Sequence, residues 1–258
     1  NHVQSAESHN QSINSLGLLS SRQTMAAVEV LSMIVANCLY TGCQGVDLRT
    51  LHRTFLEQAQ EPTKSLIKSS LHSPSSVDHF WKEFWPLFED KWYGSAALDA
   101  AERCDTVSEA LGPAFSASPH AAAGLTMDQV TEMKQSLSKF LLTFYVTHRE
   151  DFLKSPTTSQ RLGSGTKVLY LFVRHDLGVP LHRGLVEHPV AGEINTIDGR
   201  PKRTIGSWVS VIYEALRDGS LFDHVSHYLQ GDEHHDAIDG TKGTRHDGSN
   251  EGSKNEGT

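Results

Sequence analysis

Apolar residues recur every three or four positions through the first sixty residues of the chain. Leu31, Ile34, Val35, Cys38 and Leu39 stand at i, i+3, i+4, i+7 and i+8. That spacing predicts an amphipathic helix from about Arg22 to Tyr40 with these five side chains turned inward. Cys38 then packs as a small hydrophobe. Leu48, Leu51, Phe55 and Leu56 mark a second helical face just downstream. The first sixty residues therefore read as one or two long helices of a bundle.

Between Glu61 and Ser76 the chain turns polar and carries Pro62 and Pro74. Phe80, Trp81, Phe84, Trp85 and Phe88 follow at helical spacing, a dense aromatic packing surface that Pro86 is expected to bend or break. A weaker helix is predicted over about 96–111, ended by Gly112-Pro113. Thr126 and Gln129 form a capping-box pattern ahead of a face made by Val130, Met133, Leu137, Phe140, Leu141 and Phe144. Another bounded helix carries Leu169, Phe172, Val173 and Leu177 inward, with Ser164 or Thr166 as cap and Gly178 just past its end. Asp198-Gly199 suits a small hairpin, Ser207 is placed to cap the next helix, and a short helix over 221–229 completes the ordered chain.

From Gly231 the composition changes. The last 28 residues hold six glycines and seven acidic against three basic residues, half of the −8 net charge. Such a segment buries too little to offset chain entropy and is expected to be disordered. The fold class read from these patterns is all-α: a long-helix bundle with a disordered tail.

Charge and composition narrow the function. A net charge of −8 argues against a nucleic-acid surface. No run of 18 apolar residues suggests a membrane span, and no signal-peptide pattern is visible. Three cysteines without a C-x-x-C spacing argue against a disulfide framework or a zinc site and favour the cytoplasm. Asp232, Glu233, His234, His235 and Asp236 offer only a floppy metal chelate, better read as solvated tail. Phosphate-loop, dinucleotide and serine-nucleophile signatures do not occur.

One constellation remains. Glu7, Asn10, Gln11 and Asn14 fall at i, i+3, i+4 and i+7. The spacing puts four hydrogen-bonding side chains on one helical face, which either meets solvent or lines a site for a small polar substrate.

The surrounding residues carry a resemblance. "HVQSAE" (2–7), "HNQ" (9–11), "NSLGLLSSR" (14–22), "AVEVLS" (27–32) and "CQGVDLR" (43–49) resemble the eukaryotic phenylalanine ammonia-lyase family. "KVLYLFVRHDLG" (167–178) and "SWVSVIYEALRDG" (207–219) resemble its C-terminal elements, with the fungal branch the nearer one. The resemblance implies non-oxidative removal of ammonia from L-phenylalanine to give trans-cinnamate by an α-helical homotetramer. It implies an electrophilic methylidene-imidazolone group made from an internal Ala-Ser-Gly, and no metal. It divides the chain into the C-terminal part of the catalytic core (1–60), a helical insertion that shields the active site (61–160), C-terminal helices (161–230) and the tail (231–258).

By the same resemblance Glu7 is the catalytic glutamate near the substrate amine, and Asn10 and Gln11 line the substrate pocket. Asn14 is then a packing hydrogen-bonder. The 258 residues contain no Ala-Ser-Gly. The chain is therefore expected to be the C-terminal portion of such an enzyme, supplying one wall of the site and inactive by itself. Within the family, tyrosine or histidine ammonia-lyases and aromatic aminomutases are alternatives. Outside it, the alternative is a non-catalytic helical interaction module.

Overall fold

The structure, a computed structural model, describes residues 16–71, 74–118, 125–192 and 195–230. Glu7, Asn10, Gln11, Asn14 and the tail 231–258 lie outside the described residues. Within these the architecture is all-α, with one two-residue hairpin.

Helix α1 (Leu16–Ser70) is a single rod of 55 residues that continues through Pro62. A helix-interior proline costs about 3 kcal/mol. Here the same face buries Phe55, Leu56, Ala59, Thr63 and Ile67 on either side of it, and each fully buried large apolar side chain returns roughly 1.5–3 kcal/mol. Helix α2 (Pro74–Gly94) likewise runs on through Pro86, so of the expected bend or break the break does not occur. Phe80, Phe84, Phe88 and Trp92, spaced by four, are all fully buried along it.

Helix α3 (Ala100–Ser108) is followed by α4 (Leu111–Ala117). Gly112-Pro113 opens this second helix instead of closing the first, because a first-turn residue needs no N–H partner. Helix α5 (Met127–Lys154) starts with the predicted capping box: the Thr126 hydroxyl accepts from Gln129 N–H and the Gln129 amide oxygen accepts from Thr126 N–H. Met133, Leu137 and Leu141 are buried on its expected face.

Helix α6 (Ser164–Leu171) is capped by Gly163 without a side-chain bond, not by Ser164 or Thr166, and widens into a π turn over Phe172–Asp176. Gly178 sits beyond it at φ +63°, the left-handed position that favours glycine. Strands β1 (Thr196–Ile197) and β2 (Arg200–Pro201) pair antiparallel around Asp198-Gly199, both with positive φ as a two-residue hairpin turn requires. Helix α7 (Ile205–Arg217) is capped by the Thr204 hydroxyl, which accepts from Ser207 N–H; Ser207 is thus the third residue of the helix, not its cap. Helix α8 (Ser220–Leu229) ends the described chain.

Helix α1 is the shared spine of two cores. Its C-terminal half packs with α2 to α5 around Phe55, Phe80, Phe84, Phe88, Trp92 and Leu141. Its middle packs with α6 and α7 around Ala36, Tyr40, Cys43, Val173, Trp208 and Ile212.

The first half of α1 has no such cover. Leu18, Met25, Val28, Leu31 and Ile34 are all more than half exposed. Cys38, expected inside, is exposed as well. The face that this chain buries is rotated from the predicted one, because α7 meets Ala36, Tyr40 and Cys43. An 18-residue window within Gly17–Ser69 reaches a mean hydropathy of 1.5, enough by length and composition to cross a membrane. An uninterrupted-run criterion misses it because polar residues such as Ser32 and Asn37 break the apolar stretch.

Candidate functional site

The predicted pocket residues lead into α1 at Leu16, so the geometry of that helix sets what they are attached to. One buried node fixes α1 against the C-terminal helices. Asp47, fully buried, takes four hydrogen bonds. Its Oδ2 accepts from Arg174 Nε at 3.0 Å and Nη2 at 2.7 Å. Its Oδ1 accepts from the hydroxyls of Thr158 and Tyr170, each at 2.5 Å. Arg174 Nη1 donates to the carbonyls of Val179 (3.1 Å) and Pro180 (2.7 Å). The four bonds engage both carboxylate oxygens, offsetting the cost of burying the group. Burial, then the bond to Asp47, pushes the Tyr170 phenol well above its ordinary range. Burial likewise lifts the Cys43 thiol to about 11 and keeps it inert.

One turn before Asp47, the Gln44 amide exchanges both its bonds with the His182 backbone, at 2.9 and 3.0 Å. A second buried carboxylate, Glu187, accepts from Arg200 Nη2 on both oxygens at 2.8 Å. Arg183 bonds Asp198 of the hairpin turn at 2.6 Å. The Gln44 bonds, and the Arg174 bonds to Val179 and Pro180, hold residues 179–182 to α1, while the Glu187–Arg200 and Arg183–Asp198 pairs tie the following residues to one another. The Asp47 carboxylate is fully engaged by its four donors, so the node positions elements and does not itself react.

Between α1 and α5 lies a cleft of ≈ 470 Å³ lined by Thr54, Gln58, Phe144, His148, Asp151 and Phe152, among others. His148 bridges it: Nε2 meets the Thr54 hydroxyl at 3.0 Å and Leu51 C=O at 3.2 Å, and Nδ1 meets Gln58 Oε1 at 3.1 Å. Burial lowers its pKa. With both nitrogens engaged, His148 ties the two helices together. Among the described residues no group of three His, Cys, Asp or Glu is placed to hold a metal ion. Sequence reasoning did not single out Asp47, Tyr170 or Arg174, although all three lie inside "CQGVDLR" and "KVLYLFVRHDLG".

Residues 1–69, which include Glu7, Asn10, Gln11 and all but the last residue of α1, match the profile of the family described as "Aromatic amino acid lyase". Over these residues the chain is similar to the aromatic amino acid lyases. It is 39% identical over 234 residues to a phenylalanine ammonia-lyase of Cochliobolus lunatus, covering 86% of this chain and 32% of that protein. It is 34% identical over 233 residues to a phenylalanine aminomutase (L-beta-phenylalanine forming) of Talaromyces islandicus, covering 89% of this chain and 32% of that one. Among solved structures, a phenylalanine ammonia-lyase from the yeast Rhodosporidium toruloides superposes with a TM-score of 0.74 at 29% identity, over 87% of this chain and 33% of the other. The chain spans about a third of the length of the relatives it matches. The helical architecture of this chain accords with that superposition. The Asp47 node then joins two segments that the resemblance had already marked as separate blocks.

Proposed function

We propose that this chain is the C-terminal portion of a phenylalanine ammonia-lyase, which eliminates ammonia from L-phenylalanine to give trans-cinnamate. The observation that carries this reading is the 39% identity over 234 residues to the Cochliobolus lunatus enzyme. Glu7 is the proposed catalytic carboxylate, held near the substrate amine. A carboxylate in a partly dry pocket attracts an ammonium group strongly and accepts a proton readily. Asn10 and Gln11, three and four residues on, are the proposed pocket amides that orient the substrate. The shielding helices and the C-terminal helices are brought onto α1 by the two cores and by the Asp47 node.

Aromatic amino acid lyases use an electrophilic methylidene-imidazolone group. Its precursor triplet Ala-Ser-Gly is not among these 258 residues. The proposed assembly is a homotetramer. Cys38, Cys43 and Cys104 are free thiols, which supports a reducing, cytoplasmic setting.

Two preparations test the function. The purified chain given L-phenylalanine should release no cinnamate. A chimera joining it to the preceding two-thirds of the Cochliobolus lunatus enzyme should release trans-cinnamate. A folded chimera that converts neither phenylalanine nor tyrosine would overturn the reading. The Talaromyces islandicus relative supports a second reading within the family, and β-phenylalanine as the main product would establish it.

A further inference from the structure

We propose that the cleft between the end of α5, the π turn and the 179–183 segment is a binding site for a small oxyanion of the phosphate or carboxylate type. The cleft measures ≈ 390 Å³, room for a small metabolite. Lys154, Arg174, Arg183 and Arg200 all line it, with His175 beside them. Ser155 and Ser159 also line the wall. Among the described residues no Asp or Glu lines it.

The cations are anchored from behind, which leaves some of their donors unspent. Asp47 holds Arg174, Asp198 holds Arg183 and Glu187 holds Arg200. Arg200 uses Nη2 for both Glu187 oxygens, and its Nη1 is buried with no partner. A buried, unpaired guanidinium nitrogen costs free energy that an acceptor recovers. The Lys154 ammonium stands at the rim, mostly exposed, in a long, solvent-screened ion pair with Asp151 at 3.9 Å. An exposed ammonium and three guanidinium groups lining one cavity suit an oxyanion and offer nothing to a cation. The neighbouring depression, which shares Lys154 and Arg183, is edged by Glu150 and Asp198. Those carboxylates bound the site on that side and favour a small anion over an extended one.

This inference is separate from the lyase reading, because none of these residues is assigned to the amine-eliminating pocket. The test uses the 258-residue chain with inorganic phosphate and, in a second arm, citrate. Both are titrated at constant ionic strength against sodium chloride, since salt alone screens charges. The expected result is a saturable rise in Tm and one phosphate or citrate per chain by equilibrium dialysis, with the two arms telling the phosphate source from the carboxylate one. Lys154→Glu, on an exposed side chain that carries no fold, should weaken binding roughly tenfold or more while leaving the anion-free Tm unchanged. Arg183→Gln should weaken it independently. A Tm rise matched by chloride, or unchanged binding in Lys154→Glu, would overturn the site.

Discussion

Asp47 and Arg174 are 127 residues apart in the chain, and their side chains meet at 2.7 Å in the interior. Neither is exposed enough to be served by water, so each depends on the other. Replacing Asp47 by Ala leaves a guanidinium buried without a counter-charge, at an expected loss of about 3–5 kcal/mol. Tyr170→Phe removes one of four bonds to the same carboxylate and should cost only about 1–3 kcal/mol. Urea unfolding followed by circular dichroism measures both. The node does not hold the fold if Asp47→Ala proves the milder of the two.

His52 gives the chain an acid-sensitive core. It stacks on Tyr145 and meets Trp92 edge-on. Burial, aided by the Arg103 and His148 charges, pulls its pKa from 6.5 to about 4. A base with a depressed folded pKa is neutral in the fold and protonated in the unfolded chain between those two values. The unfolded state therefore binds more protons there, and stability rises with pH. The contribution is complete above about 6.5 and is lost as the pH falls towards 4. His52→Phe keeps the ring stack and removes the proton uptake. Thermal melts from pH 7 to 4 should show a shallower decline in this variant than in the parent. His148 and His182, also depressed by burial, leave part of the slope in place.

The elements that periodicity located are those whose neighbours come from the same stretch of chain. The Thr126 and Gln129 box, the Met133-Leu137-Leu141 face, the Asp198-Gly199 turn and Gly178 all follow from local rules and are found as read. Pro86 does not break its helix, because a proline carries a local cost that distant packing outweighs. The burial of Leu31, Ile34 and Cys38 misled for the opposite reason: periodicity identifies an apolar face but not what covers it. The Asp47 node was illegible for a third reason. A single Asp beside apolar residues looks like a surface charge until Thr158, Tyr170 and Arg174 are brought to it by folding. The candidate catalytic residues came from the resemblance, since four polar residues on a helical face fit solvent as well as a pocket.

If Glu7 is catalytic, its effect belongs in turnover and not in stability. In the chimeric enzyme Glu7→Gln is nearly isosteric and keeps hydrogen-bonding capacity while removing the base. The expectation is a fall in kcat of roughly 100-fold or more with Tm essentially unchanged. A collapse in Tm with normal activity in the surviving folded fraction would make Glu7 a structural residue. Asn10→Ala should act more on KM, since an amide that only orients the substrate contributes in ground and transition states alike.

The exposed half of α1 predicts how the 258-residue chain behaves in solution. Leu18, Met25, Val28, Leu31 and Ile34 are five large apolar side chains exposed within five turns of one helix, a concentration that globular monomers seldom leave uncovered. Sedimentation velocity should therefore show concentration-dependent association. Leu31→Lys with Ile34→Glu should shift the chain towards monomer with little change in Tm, because both side chains are more than half exposed and support no internal packing. The same surface meets the compositional test for a membrane span, so flotation with neutral phosphatidylcholine vesicles separates the two uses of it. Chain that associates in buffer and stays out of the floating fraction uses the stripe to meet protein. Chain that floats, and stops floating in the double variant, uses it to meet lipid, and the expectation of no membrane contact then falls.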